Sequence, residues 1–438
     1  MVRGRIVMLV DNAVEGDSRV QKTARSAAAA GWAVTLLGRA DSVARSWRVG
    51  EAKVRLLPMG GAGGASVGRR GRERLRRSRL VGLLRRPVDL ALVRFWRWRL
   101  GDGAWRRLEP SLWEFEAAYG PAIDALAPDI IHAHDFRMLG VGARAVLRAR
   151  ASGRAAKLVW DAHEFLPGIQ PWRDHARWLP AHRGHEREYA RHADAVVTVS
   201  PELARLLQRE HHLPRLPSVV LNAPDIAPGV PITLDGGPDT LRVRCGLGPG
   251  VPLLVYSGAC APARGLALAV RALPRLPGAH LALVVNQPDG PHARELVALA
   301  RQLGVADRLR LLDYVPADRV AAALADADAG IIPIQRWPNH EIALITKFFE
   351  YAHARLPIVV SDVRVMAATV RDTGQGEVFR ADDLDDYVRA VRAVLGDPAR
   401  YRAAYARAGL LDGWGWSAQA RVLNELYTRL TNDTVDLV

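Results

Sequence analysis

At 438 residues the chain is longer than one ordinary core fills, and two domains of about 200 residues each are the natural expectation. With 49% hydrophobic and 24% charged residues it is a folded chain, not a disordered one, and no apolar run approaches the ~20 residues of a membrane-spanning helix. A net charge of +15 favours anionic partners, whether nucleic acid, nucleotide diphosphates or an acidic membrane, while two cysteines, Cys245 and Cys260, are too few for a disulfide framework or a structural zinc.

The opening 40 residues predict a β-α-β unit: a strand over 5–10, a helix over 19–30 ended by Gly31, and a strand over 33–37. The first apolar stretch is strand-length and resembles no signal peptide, so a cytoplasmic protein is expected, with peripheral membrane contact left open. From about 60 to 113 the pattern breaks. Gly60, Gly61, Gly63 and Gly64 lead into an arginine-rich run from Arg69 to Arg107, interleaved with Trp96, Trp98 and Trp105. This predicts an insertion of one or two basic helices. Strands resume over 129–134, 157–161 and 195–199, separated by helices over 140–150 and 201–208. A segment rich in proline, glycine and aspartate, 221–238, reads as the interdomain linker.

A second α/β series follows, with strands over 253–256, 280–285, 309–312, 329–334 and 357–360. Its helices cover 265–273, 293–303, 318–327 and 346–354, and a last amphipathic helix covers 414–430. Short apolar runs alternating with helices imply parallel sheets covered on both faces. Two doubly wound, Rossmann-like halves would face a central cleft at the carboxyl ends of their strands.

The most informative segment runs from Asn339-His340-Glu341 through Ile345-Thr346-Lys347 to Glu350-Tyr351, followed by Leu356-Pro357-Ile358-Val359-Val360-Ser361. A helix beginning near Thr346 offers free amides and partial positive charge to a diphosphate, and Lys347 adds a full charge. Glu350, at i+3, shares its face and suits two ribose hydroxyls. The competing reading is an ordinary surface ion pair.

This segment resembles the donor-binding helix of family 4 glycosyltransferases. Asp17-Ser18-Arg19-Val20, Asp129-Ile130-Ile131-His132-Ala133-His134-Asp135, Trp160-Asp161-Ala162-His163-Glu164, 193–200 and Leu221-Asn222-Ala223-Pro224-Asp225 are similar to that family in the same order. The resemblance implies a GT-B fold and a retaining, metal-independent transfer of a sugar from a nucleotide-diphosphate donor to an acceptor hydroxyl, with no cofactor and no nucleic-acid partner. It implies an acceptor domain over 1–222, a donor domain over 223–413, and a helix over 414–438 crossing back to the first domain. It also places Gly258, Arg264 and Gly265 at the donor phosphates, with the family's upstream arginine missing and Cys260 or a neighbour in its place. Tyr314 and Val315 lie near the base, and Glu341, Ile345, Thr346, Lys347 and Glu350 along the donor. The family's E-x7-E spacing, counted back from Glu350, lands on Ile342 rather than Glu341.

In the first half His134, Asp135, His163 and Glu164 directly follow strands and so point toward the ligand end of the sheet. They are expected to orient an acceptor hydroxyl or stabilise an oxocarbenium-like transition state. A histidine of this region contacts the donor sugar in the resembled family; His134 is the first choice and His163 the second, with His132 on the same face. Arg19 and Lys22 are placed to reach a phosphate or an acidic acceptor. No Asp-x-Asp follows a predicted strand end; the triplets at 326–328 and 383–385 precede a strand and open a helix.

Three function classes are compatible with these residues: the glycosyltransferase, a sugar-nucleotide epimerase on the same fold, and a basic nucleic-acid-binding protein. The insertion, 69–107, suits an anionic membrane, an acidic acceptor or nucleic acid, or else packs its aromatic side on the first domain.

Overall fold

In the computed structural model residues 3–59, 79–169, 176–226 and 240–435 are described, with side chains omitted for 79–85 and 433–435. They divide into two units, Met1–Val220 with Ala420–Val438, and Leu221–Gln419. Most of the 221–238 segment and the arginines from Arg69 to Arg77 lie outside the described residues.

In the first unit eight strands form one sheet in the order β3-β4-β2-β1-β5-β6-β7-β8. The strands that position the site are β1 (Arg5–Leu9), β5 (Ile130–His134) and β6 (Lys157–Ala162). Ile6 to Leu9 are buried on both faces, as a parallel strand under two helical layers must be. β1 pairs in parallel with β2 (Ala33–Ala40) on one side and β5 on the other. That is where the strand order reverses, and crevices for ligands open at such points. The hairpin β3 (Arg45–Val49) and β4 (Ala52–Pro58) adds the antiparallel edge. It has no apolar run to announce it, because an edge strand keeps polar residues toward solvent. The sheet continues through β7 (Ala195–Thr198) to β8 (Ser218–Val219).

The second unit has a six-stranded parallel sheet, β11-β10-β9-β12-β13-β14. These are β9 (Leu253–Gly258), β10 (His280–Val285), β11 (Leu309–Asp313), β12 (Ala329–Ile332), β13 (Ile358–Ser361) and β14 (Gly376–Phe379). Counted within the unit, this is the doubly wound order 3-2-1-4-5-6, with the reversal between β9 and β12. The helix predicted over 318–327 shrinks to Val320–Leu324, while that predicted over 140–150 lengthens to Asp135–Ala151 and begins at the end of β5. The carboxyl-terminal helix is Trp416–Val435; from Ala420 onward it belongs to the first unit, where Leu423, Leu426, Tyr427 and Leu430 are buried and Asn424 accepts a hydrogen bond from the Trp32 indole at 3.0 Å.

Candidate functional site

In the second unit the β9–β12 reversal gathers most of the donor-side residues named from the sequence. β9 ends at Gly258, whose φ of +124° is glycine territory; a Cβ there would sit 3.1 Å from the Lys347 Nζ. The next turn carries Arg264 and then Gly265, which opens the helix Leu266–Ala272. Gly265 also has positive φ, and a Cβ on it would lie 1.8 Å from the Pro333 carbonyl oxygen. This is how the β9 loop approaches the β12 loop, an approach fixed further by the Gln335 amide donating to the Ala263 carbonyl at 3.1 Å. Gly265→Ala is therefore expected to destabilise the second unit by about 3 kcal/mol or more, in the range of severe backbone clashes. Chemical denaturation followed in the isolated variant reads this; a loss below about 1 kcal/mol shows that the two loops are free to part.

The helix Thr346–His353 starts after Ile345 without a side-chain cap; the Phe348 amide turns back to the Ile345 carbonyl at 3.0 Å, and the amides of Thr346 and Lys347 precede it at the helix start. Lys347 and Glu350 are 8% and 4% exposed, which excludes the surface ion pair. The Lys347 ammonium stands 3.6 Å from the centroid of Tyr256, whose hydroxyl donates to the Ala259 carbonyl at 2.7 Å. Burial, with the Arg264 charge added, holds the Lys347 ammonium well below its ordinary value, against the pull of Glu350. Tyr314, half-exposed beside Glu350, has its phenol pushed up to about 12 by burial and by that carboxylate, and Val315 packs on the core.

Glu341 is held by partners within the second unit. Its carboxylate accepts from the Arg336 guanidinium and from the backbone amide of Arg364, both at 2.8 Å. It thereby caps the helix Arg364–Thr373, while Ile342, at the family's spacing, is buried. Of the two acidic triplets, Asp383 caps the helix Leu384–Gly396 and Asp326 and Asp328 bind Arg242.

In the first unit β5 and β6 bring a buried polar cluster together. One oxygen of Asp161 is met by Arg19 Nε at 3.0 Å, His163 Nε2 at 3.2 Å, His134 Nδ1 at 3.3 Å and His132 Nε2 at 3.6 Å. Arg19 grips the other oxygen at 2.8 Å and donates to the Val220 carbonyl at 2.9 Å. Arg19 thus clamps the sheet from within and is not available to a phosphate; Lys22, one turn on, is buried as well. His132 stacks on His134 at 4.4 Å, and its Nδ1 lies 2.5 Å from the Tyr427 hydroxyl.

The rings differ in access. His134 is fully buried, whereas the His163 side chain is 17% and that of Asp135 33% exposed. His163, not His134, is the ring that reaches the surface, because β6 ends one residue before it. Asp135 takes a left-handed φ of +64°, tolerable for aspartate, and its carboxylate lies 3.5 Å from His163 Nδ1. Burial disfavours the His163 charge, but Asp135 and Asp161 outweigh it and push this imidazole up to about 10. Burial and neighbouring His134 bring His132 down to about 4. Two carboxylates thus face one guanidinium and one imidazolium. A cationic His163 does not stabilise an oxocarbenium ion and cannot serve as a base near neutral pH; it donates hydrogen bonds and favours negative charge. Glu164 is exposed at the start of the following loop.

The pattern described as "Glycosyltransferase Family 4" matches residues 18–227, and "Glycosyl transferases group 1" matches 239–410. A GDP-mannose-dependent alpha-(1-6)-phosphatidylinositol monomannoside mannosyltransferase of Mycolicibacterium smegmatis is 30% identical over 70% of this chain and 80% of its own length. The chain is a family 4 glycosyltransferase.

Another member of this kind, a D-inositol 3-phosphate glycosyltransferase of Nocardia farcinica, is 28% identical over 56% of this chain, and the match spans 54% of that protein. Solved structures confirm the GT-B fold at low identity. Sucrose-phosphate synthase from Thermosynechococcus elongatus superposes with a TM-score of 0.72 at 16% identity, covering 98% of this chain and all of that one. Anabaena HepE in complex with UDP and glucose gives 0.66 at 14%, covering 97% and 100%. The two relatives are glycosyltransferases and the first of these structures is a sugar-phosphate synthase, and none of them supports the epimerase or the nucleic-acid reading.

His132, His134 and Asp161 offer ligand atoms within 4.8 Å of one another, the spacing of a metal centre. They do not suit one here. Arg19 already neutralises Asp161, and the charged His163 stands against the same oxygen, so a divalent ion would meet two cations. Three residues of these two clusters escaped sequence reasoning. Tyr256 under Lys347 and Tyr427 on His132 have no local motif. Asp161 lies within a quoted motif, and its place at a strand end was the available signal.

Proposed function

We propose that this glycosyltransferase transfers a sugar from a nucleotide-diphosphate donor, without a metal and with retention of anomeric configuration. The observation that carries the reading is a buried Lys347 at an uncapped helix start, beside Arg264 and in contact range of Gly258, with Glu350 one turn on. Such a site offers a pyrophosphate two positive side chains and free amides, and offers a ribose one carboxylate. Relatives named for GDP-mannose and a neighbour that binds UDP and glucose support a nucleotide sugar as co-substrate.

In the proposed reaction the acceptor oxygen bonds to the anomeric carbon on the face from which the diphosphate departs. The carbon–oxygen bond to phosphate breaks, and the acceptor proton passes to the departing phosphate oxygen. Lys347, Arg264 and the helix start stabilise the charge released there, the role a metal ion fills elsewhere. On the first unit Asp135 and His163 are the acceptor-side groups. Since His163 is positively charged, it is a hydrogen-bond donor suited to an acceptor bearing negative charge.

Calorimetric titration of the full chain with UDP, GDP, dTDP and ADP tests the donor site. One of them is expected to bind in the presence of EDTA, and binding is expected to vanish in Glu350→Ala. Failure of all four to bind, or binding that requires added Mg²⁺ or Mn²⁺, overturns the reading; the anomer of the product, read by NMR, decides retention.

A further inference from the structure

The insertion separates its tryptophans. Trp105 is fully buried, its indole donating to Glu188 at 2.8 Å, and Trp96 is half-buried under the guanidinium of Arg107. Trp98 is 81% exposed. The helix Arg79–Leu100 explains the difference by its periodicity. Asp89, Val93 and Trp96, spaced i, i+4 and i+7, turn toward the first unit, and Asp89 pairs with Arg177 at 2.9 Å. Ala91, Phe95 and Trp98, with the same spacing, lie on the opposite face. Val88 borders that seam, and Arg94 and Arg99 flank it on either side. Among the described residues, five of the thirteen exposed large hydrophobics fall between Val88 and Leu100. Of these, Phe95 and Trp98, with ring centroids 6.4 Å apart, and Val88 share the outer face and form a patch, whereas Leu90 and Leu100 lie off it. Beside Trp98 a shallow hollow of about 650 Å³ is lined by Arg94 and Arg97, Val93, Gly101 and Asp102.

We propose that this outer face, with Phe95 and Trp98 at its centre and Arg94, Arg97 and Arg99 around it, lies in the headgroup region of a membrane rich in anionic lipid. Charge complementarity argues for lipid. Aromatic side chains favour the boundary between headgroups and acyl chains, and arginines beside them meet the phosphates. The hollow between Arg94 and Arg97 is large enough for one lipid phosphate. The helix lies on the surface and does not span: no helix among the described residues is long and apolar enough to cross a membrane. The inference concerns a surface remote in sequence from the donor residues, so its failure leaves the donor reading untouched.

The full chain is to be floated with vesicles of phosphatidylcholine alone and of phosphatidylcholine with phosphatidylglycerol, at low and high salt. Binding is expected to the anionic vesicles only and to weaken with salt. The pair Phe95→Ser with Trp98→Ser, and separately the pair Arg94→Glu with Arg97→Glu, are expected to lower partitioning about tenfold or more. Neither pair should change the melting temperature, because the replaced side chains are exposed. Lipids brominated in the acyl chain are expected to quench tryptophan emission in the native chain and much less in Trp98→Phe. The proposal is overturned if the anionic vesicles do not bind, if either variant pair binds as the native chain does, or if quenching persists without Trp98. It is equally overturned if Phe95→Ser with Trp98→Ser dissolves a dimer while vesicles bind neither form, which would make the patch a self-association surface. Binding to a DNA duplex with no vesicle binding has the same consequence.

Discussion

Replacing Lys347 by Met is expected to weaken nucleotide-diphosphate binding about a hundredfold and, in the same protein without ligand, to raise the melting temperature. Both effects follow from burial. Lys347 is 8% exposed, and burial and Arg264 disfavour its charge more than Glu350 favours it. A cation held that way costs stability until an anion arrives, and an apolar side chain of similar length removes the cost. The gain should be about 1 kcal/mol, small but opposite in sign to the usual core substitution. The loss in donor affinity should be much larger, roughly 3 kcal/mol or a hundredfold, since a charge-assisted contact to phosphate in a water-poor site is removed. The same reasoning gives a proton signature. An amine held below its ordinary value and then met by a diphosphate regains its affinity for protons, so binding at alkaline pH should take up protons. Titration in buffers of differing ionisation enthalpy measures that uptake, and Lys347→Met should lack it. A Lys347→Met protein that melts lower and still binds nucleotide would show that the lysine is a structural residue.

The first unit is expected to lose stability on the alkaline side as well as in acid. His163 has its folded value raised to about 10 from an ordinary 6.5, so its charged form favours the folded state. That contribution is complete below about pH 6.5, declines as pH rises, and is gone once pH passes about 10. Asp161 works in the opposite direction. Burial raises it, but Arg19 and His163 overcome burial and hold it well below its ordinary 3.8. Its contribution is present above that ordinary value and is lost as pH falls through the folded one. Asp135→Asn removes one of the two carboxylates that charge His163, so the alkaline loss should begin from a smaller plateau and end at lower pH. Asp161→Asn should be far more damaging, about 3–5 kcal/mol, because Arg19 is left buried without its partner. Calorimetric melts from about pH 2 to about pH 11, following the first unit's transition, give these profiles. Stability independent of pH between 6.5 and 10 would show that His163 is neutral in the folded protein.

The candidate residues of the two units were legible from the sequence to different degrees. In the second unit the placement of Gly258, Gly265, Lys347 and Glu350 was legible, because they follow strand ends or open helices, and a loop-to-helix junction is a local pattern. Glu341 was the exception. One residue of offset from the family spacing turned its carboxylate onto Arg336 and the Arg364 amide, 23 positions away. The first unit's cluster was less legible. That His134, Asp135 and His163 would stand at strand ends was visible; which ring would be covered was not.

The sequence by itself determined the two parallel α/β sheets, the order of their strands' motifs, the helix that presents Lys347 and Glu350, and the family. These are matters of apolar period and of turn residues within a few positions of one another. Only the tertiary structure decided that Lys347 is buried against Tyr256, that Arg19 serves Asp161 across 142 positions, and that Trp98 is left outside while Trp105 is inside. Charge state and access depend on which distant segment covers a side chain, and that is settled by packing between elements whose spacing in the chain carries no period.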